Sequence, residues 1–298
     1  MSYRSESLYA FVKENPISPW PVFVPSYNRP DAPLLKCALQ EPEFPIVLCI
    51  REEQAELYAK YKYKIPILYL QDVNDISQTR EQILQQASKY YDQIFMMDDD
   101  ISWLDYMIPS KTKSGKESMR ASRTCFGTLP KKTEILQMWM YTLLFDKEYK
   151  KIALSTIGYR PDIWSIKNAN LDNKYNSGTC IQCIHINTKL LQKHGIHYRD
   201  MLRVGNEDYA LQFDIMSSGL LTTVYKDLMY DCPAMNSLSG GCENMHGLTG
   251  EARQAKYVAL AKEYYKNHPG VTFTQTKRTK LETMKFNWNY WRVHEYSY

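Results

Sequence analysis

The chain has 298 residues, 44% of them hydrophobic and 23% charged, with a formal net charge of +4. Such a mixture buries a sizeable core and excludes a disordered tail or a fibrous protein. The mild positive charge permits nucleic acid but does not demand it, so any polyanion must be held by a local basic patch.

Met1 to Trp20 carries charges and prolines without the apolar stretch of a leader, and nowhere do about 18 apolar residues run together. Neither secretion nor a membrane partner is expected, and the expected location is the cytoplasm. Pro21-Val22-Phe23-Val24-Pro25 reads as a short buried strand that breaks into a polar turn, Ser26-Tyr27-Asn28-Arg29-Pro30. A second strand is predicted over 44–50 with a helix over 52–63, and a third over 65–70 with a helix over 76–90. The fourth, 93–97, runs into Asp98-Asp99-Asp100. Strands alternating with helices predict an α/β fold with a mainly parallel, Rossmann-like central sheet flanked by helices.

Beyond the triplet the pattern loosens. Lys111 to Ser118 reads as a polar mobile loop and a candidate lid. A helix is predicted over 133–145, an apolar stretch over 152–157 and a strand over 180–186. Residues 202–208 end in acid and open an amphipathic helix over 209–218, closed by Gly219. A strand over 222–225, a Ser/Gly loop over 237–241 and a helix over 249–266 follow. With no internal repeat and no Pro/Gly/Ser-rich linker, the chain reads as one domain over 20–270. Its nucleotide-binding half covers 20–105 and its acceptor-binding half 106–270, with an extension over 1–19 and a basic, aromatic tail over 271–298. Seven cysteines with one CxxC-like spacing, Cys180 to Cys183, read as buried free thiols in a reducing compartment.

The triplet carries the most chemical information. Adjacent carboxylates repel one another unless a cation sits between them, and a hard ion such as Mg2+ or Mn2+ binds through one or two carboxylates plus substrate phosphates. Asp98 and Asp100, two apart on an extended backbone, point the same way. Acids that merely cap a helix or face solvent are the ordinary alternative, and three in a row after four apolar residues favour the metal.

Four features in order mean more together than apart: the Pro25-Ser26-Tyr27-Asn28-Arg29 loop, the Asp98-Asp99-Asp100 triplet, Gly205-Asn206-Glu207-Asp208 at a helix start, and His246 after a Gly-rich loop. This order resembles the GT-A class of nucleotide-sugar glycosyltransferases. The loop motif, the Thr79-Arg80 pair, the extended acidic run and the later Gly-Gly loop look most like the TET-associated glycosyltransferases, a family inferred to act on oxidised bases in DNA and found among bacteriophages. The resemblance implies a divalent metal (Mn2+ or Mg2+) on Asp98, Asp100 and His246, and a nucleoside-diphosphate sugar, with UDP favoured, against Pro25, Ser26, Tyr27, Arg29, Thr79, Arg80, Asp98 and Asp99. For a phage protein it places the chain in the host cytoplasm.

Of the later acids, Asp208 is the first choice as the base that deprotonates an acceptor hydroxyl, with Glu207 close behind. Read blandly, the two simply favour a helix N-terminus. Tyr27 is suited to stacking on a nucleobase, and Arg80 to a diphosphate or to a helix surface. Lys111, Lys113 and Lys116, with Lys277, Arg278, Lys280, Lys285, Trp288, Tyr290, Trp291 and Arg292, are suited to DNA and an extruded base, or to an ordinary packed tail. The expected reaction is sugar transfer to a hydroxymethylated pyrimidine, or to a sugar already on it. A glycan or protein acceptor, and a non-catalytic nucleotide-sugar or DNA-binding module, are the alternatives. The oligomeric state is not encoded in these patterns.

Overall fold

A computed structural model describes residues 4–60, 64–115, 117–159, 175–199, 207–233, 250–276 and 280–294. Nine strands form one sheet: β1 (Val22–Pro25), β2 (Ile46–Arg51), β3 (Ile67–Leu70), β4 (Gln93–Met97), β5 (Trp103–Lys111), β6 (Glu117–Ala121), β7 (Ile152–Tyr159), β8 (Cys183–Asn187) and β9 (Leu221–Asp231), in the order β3-β2-β1-β4-β8-β7-β9-β5-β6. The first four strands are mutually parallel. Only β5 and β8 run against the rest, so the sheet is mainly parallel as expected.

Period-two alternation divides the core between the two faces of this sheet. Val22 and Val24 of β1 and Phe95 and Met97 of β4 join one cluster, with Val12, Leu34, Leu35, Leu136 and Trp139 from the helices Arg4–Glu14, Pro33–Gln40 and Lys132–Leu144. Phe23, Ile94 and Met96 join the other, under Ile83, Leu84, Leu191, Leu211 and Ile215 from the helices Ile76–Ala87, Thr188–His194 and Glu207–Ser217. A sheet buried on both faces explains why its strands read as continuous apolar runs.

Some elements depart from expectation. The stretch over 52–63 is a short turn of 3-10 helix, Glu52–Gln54, followed by the helix Ala55–Ala59. The expected strand over 222–225 is the start of the eleven-residue β9. The segment over 111–118, expected as a polar loop and candidate lid, takes in the end of β5 and the start of β6, paired at Lys111 and Glu117. Since β5 leaves the triplet in the reverse direction, at about 3.3 Å per residue, it carries Lys111 and Lys113 away from the acidic site.

The expected tail is folded too. A hairpin of β10 (Val271–Gln275) and β11 (Glu282–Phe286), the helix Gly250–Tyr265 and the helix Trp288–His294 build a third apolar cluster against Met216, Tyr209 and Phe213 of the helix Glu207–Ser217. Trp291 lies buried there, its ring stacked on His268 and its Nε1 donating to the Gly270 carbonyl at 2.9 Å. Trp288 and Tyr290 pack against the same cluster. The Trp291 ring is a core side chain, closed to an extruded base.

On the first face, His185 of β8 is fully buried. Its Nε2 meets Gln93 Oε1 at 2.7 Å and its Nδ1 meets Ser155 Oγ at 3.2 Å, while Ser155 Oγ accepts from Trp139 Nε1 at 3.0 Å. A neutral ring that donates from Nε2 and accepts at Nδ1 satisfies every partner. Protonation would leave the Ser155 hydroxyl without an acceptor, and burial lowers the ring's pKa to about 3. The unfolded chain takes up the proton near pH 6.5, so this residue costs stability progressively as pH falls below that value. Replacing it in His185→Gln is expected to remove about 2 kcal/mol of the wild-type stability loss between pH 7.5 and pH 5. Urea midpoints of the two proteins at both pH values measure that difference.

Candidate active site

The parallel strands end at one edge of the sheet, and four segments meet there. The first is the loop after β1. Its Ser26 hydroxyl donates to Asp99 and lies 2.7 Å from the Tyr58 hydroxyl, and Arg29 Nη1 reaches Asp99 at 3.2 Å and Asp100 at 3.7 Å. The Arg29 amide donates to Tyr58 Oη at 3.2 Å. Asn28, at φ 56°, is clamped by Gln54, which accepts from its amide at 3.1 Å and donates to its side chain at 2.8 Å. Pro25 belongs to β1 itself and pairs with Cys49 of β2. The Tyr27 ring carries the Arg51 guanidinium on one face at 4.7 Å.

The second segment is the start of the helix Ile76–Ala87, capped by Asp75, whose side chain accepts from the Gln78 amide at 2.9 Å. One turn in, the Thr79 hydroxyl donates back to the Asp75 carbonyl at 2.8 Å, and Arg80 turns inward and is 4% exposed. The third is the triplet after β4, and the fourth is the first turn of the helix Glu207–Ser217.

Arg80 joins the last two. Its Nη2 is 2.8 Å from Asp98, and its Nη1 is 3.0 Å from Glu207 and also donates to Asp208. Acids 109 residues apart in the chain, Asp98 and Glu207, are thus bridged by one guanidinium. The structure therefore rules out the surface-helix alternative for Arg80 and brings together the triplet and the Glu207-Asp208 pair. Asp99 is turned to the loop, holding Ser26 and Arg29. His246 and the Gly-rich loop before it lie outside the described residues, as do Gly205 and Asn206.

Charge is unbalanced here. Five carboxylates (Asp98, Asp99, Asp100, Glu207 and Asp208) face two guanidiniums (Arg29 and Arg80) among the described residues. Burial pushes Asp98 up to about 7 against the pull of Arg80, with Asp100 and Asp208 adding to the rise. Burial likewise raises Asp99 and Asp100 to about 6, and Glu207 to about 7. Asp100 Oδ1 is buried without a hydrogen-bond partner. Among the described residues no group of three or more His, Cys, Asp or Glu side chains is placed to hold a metal ion. Asp98 and Asp100 nevertheless fit a cation that takes only one or two protein carboxylates and fills its remaining positions with phosphate and water. The excess negative charge and the orphaned Asp100 oxygen are what such an ion would offset.

Several residues that matter here escaped the sequence reading. Arg51 ends β2, Gln54 and Tyr58 follow it, and all three become neighbours of the first loop only because β2 pairs with β1. Gln182, whose carbonyl accepts from the Asp98 amide at 2.7 Å, enters through the antiparallel pairing of β8 with β4.

Residues 20–241 match the family model described as TET-Associated Glycosyltransferase, which is more than half of the chain. The chain belongs to the TET-associated glycosyltransferase family. Membership of that family is what makes it a glycosyltransferase. No curated protein matches it in sequence. Among solved structures it is similar to GalNAc-T7 with UDP, GalNAc and Mn2+, at 10% identity and a TM-score of 0.47, over 86% of this chain and 50% of that one. The chain therefore spans about half the length of that protein. It is also similar to S. aureus TarS in complex with UDP, at 14% identity and a TM-score of 0.40, over 84% of this chain and 72% of that one. A third likeness is to a nucleotide-diphospho-sugar transferase from Desulfovibrio desulfuricans G20, at 12% identity and a TM-score of 0.42, over 83% of this chain and 99% of that one. Among the described residues no helix is long and apolar enough to cross a membrane.

Removing the Arg80 guanidinium would leave three acids facing one another with that buried charge uncompensated. Arg80→Met is expected to cost about 3–5 kcal/mol of stability. Arg80→Lys should fall well short of full rescue, because one ammonium cannot present a planar fork to three carboxylates. Urea unfolding of the two variants beside the parent measures both effects.

Proposed function

We propose that the protein transfers a sugar from a nucleoside-diphosphate sugar, UDP-sugar first among them, to the hydroxyl of a hydroxymethylated pyrimidine in DNA or to a sugar already attached to it. The observation that carries this reading is the convergence of the triplet and the Glu207-Asp208 pair on Arg80. It sets acids suited to holding a donor beside acids suited to activating an acceptor, at the edge where α/β sheets bind ligands.

In this reading the loop over 26–29 receives the nucleotide. Tyr27, held flat by Arg51, offers its ring to the base, and Arg29 adds positive charge near the phosphates. Asp98 and Asp100 would hold a Mn2+ or Mg2+ ion together with His246, the donor's phosphate oxygens completing the set. When bound, such an ion supplies charge neutralisation for a departing diphosphate. Asp208 takes the proton from the attacking hydroxyl, and Arg80 keeps that carboxylate oriented. Glu207, raised to about 7 by burial, is the second candidate for the proton, since a base works best when its pKa lies near the working pH.

A duplex base has to leave the stack before an enclosed site can reach it. In the C-terminal lobe the exposed Lys280 and Lys285 are suited to a phosphate backbone. The family's association with oxidised DNA bases is what directs the acceptor assignment to DNA.

The deciding experiment incubates the protein with Mn2+, a panel of sugar nucleotides, and hydroxymethylated or plain DNA, followed by nucleoside mass spectrometry. A hexose or pentose increment on the modified base alone is the expected outcome. Transfer to neither DNA, with transfer to a glycan or protein in parallel reactions, would end the DNA assignment. Asp208→Asn is expected to lower kcat by roughly 100-fold or more, the scale of general-base catalysis, with nucleoside-diphosphate affinity unchanged in calorimetry. Asp98→Asn should instead weaken metal-dependent nucleotide binding in the same titration.

A further inference from the structure

Seven described residues other than glycine have positive φ, and three of them (Asn28, Asp72 and Gln182) lie at the carboxyl edge of the parallel strands. Gln182 is the most constrained. Its φ is 60°, and the amide of Cys183 donates to the carbonyl of Ile181 at 2.6 Å, closing a three-residue γ-turn around it. A γ-turn with positive φ at its centre is rare and strained for a residue with a Cβ.

The turn has an evident backbone purpose: the Gln182 carbonyl accepts from the Asp98 amide at 2.7 Å and so anchors the start of the acidic triplet. Glycine would make the same turn and present the same carbonyl without the steric cost. What the backbone leaves unexplained is the side chain. Its Oε1 accepts from the Tyr230 hydroxyl at 3.3 Å and from Cys232 Sγ at 3.7 Å, two contacts that orient the amide. The other end of that amide, Nε2, has no partner among the described residues. A half-buried amide is thus held at a strained position beside Asp98, with one end fixed and a pair of N–H donors that meet no partner among the described residues.

We propose that Gln182 is a substrate-reading residue whose Nε2 donates to a hydroxyl oxygen of the transferred sugar. The inference rests on the donor reading above and adds the group that recognises the sugar rather than the nucleotide. An NH2 group reads an acceptor oxygen, and a sugar hydroxyl seated against Asp98 supplies one. The contact lies beyond the diphosphate, so it bears on transfer and not on the affinity for a nucleotide without its sugar.

Glycine substitution separates the backbone role from the side-chain role. In Q182G the turn and its bond to Asp98 persist and strain is relieved, whereas in Q182A strain persists, and in both the amide is gone. The readouts are the unfolding midpoint, the affinity for UDP with Mn2+, and turnover of whichever of UDP-glucose, UDP-galactose, UDP-N-acetylglucosamine and UDP-xylose the wild-type protein uses fastest. Q182G is expected to unfold at a higher temperature than Q182A and to bind UDP as wild type does, yet to turn over the UDP-sugar about tenfold or more slowly, the worth of one hydrogen bond. Q182E, which keeps the shape but lacks the donors, should lose turnover similarly. Wild-type turnover by Q182G, or an equal loss of UDP affinity, overturns this inference alone. A wild-type protein that binds no UDP and no other nucleoside diphosphate overturns the donor reading along with it.

Discussion

A single buried guanidinium holds the active edge of this protein together. Arg80 meets Asp98 on one side and Glu207 and Asp208 on the other, and without it those acids would repel one another at close range. Its own burial costs several kcal/mol, offset only because three carboxylates share it. The helix Ile76–Ala87 has to begin where it does, capped by Asp75 in the loop that follows β3, so that its second turn delivers the arginine to this point. The compensation is incomplete among the described residues, where five acids face two arginines.

Around this centre the protein divides its work between rigid supports. The loop after β1 is not free to wander, because Asp99, Tyr58 and Gln54 each take part of its backbone or side chains. The helix bearing Glu207 and Asp208 is packed on the sheet through Leu211 and Ile215, and from outside through Tyr209, Phe213 and Met216 by the C-terminal lobe. That lobe, rich in aromatic rings, is a buttress for the acidic helix more than a surface for bases. Strain appears where rigidity alone would not deliver the geometry, at Asn28 and Gln182.

Much of the site was legible because short-range patterns encode it. An apolar run ending in three aspartates and a strand breaking into Ser-Tyr-Asn-Arg each declare their chemistry within a few residues. The strands up to β4 were readable for the same reason, since a sheet buried on both faces leaves unbroken apolar runs. Strands β5 and β6 were not: Asp105 interrupts the buried run Trp103 to Ile108 of β5, and the edge strand β6 is short and largely polar, so it looks like a loop. The full length of β9 was hidden in the same way, since Lys226 and Asp227 interrupt its pattern. For Trp291 the sequence left a base-stacking ring and a packed one both open, because nothing in its neighbourhood announces the partners, Gly270 and His268, that bury it.

What the sequence determined by itself is the class of fold and the chemical kind of residues at the edge of the sheet, since periodicity and local composition suffice for both. Tertiary structure alone decided which of those residues touch. The pairing of β1 with β2 brought Tyr58 and Gln54 to the loop after β1, and the packing of two helices brought Asp98 and Asp208 to the same arginine. It also set Gln182 in a strained turn against the triplet. Such contacts join segments tens of residues apart, and their energy comes from burying a shared core, a quantity that no local stretch of the chain contains.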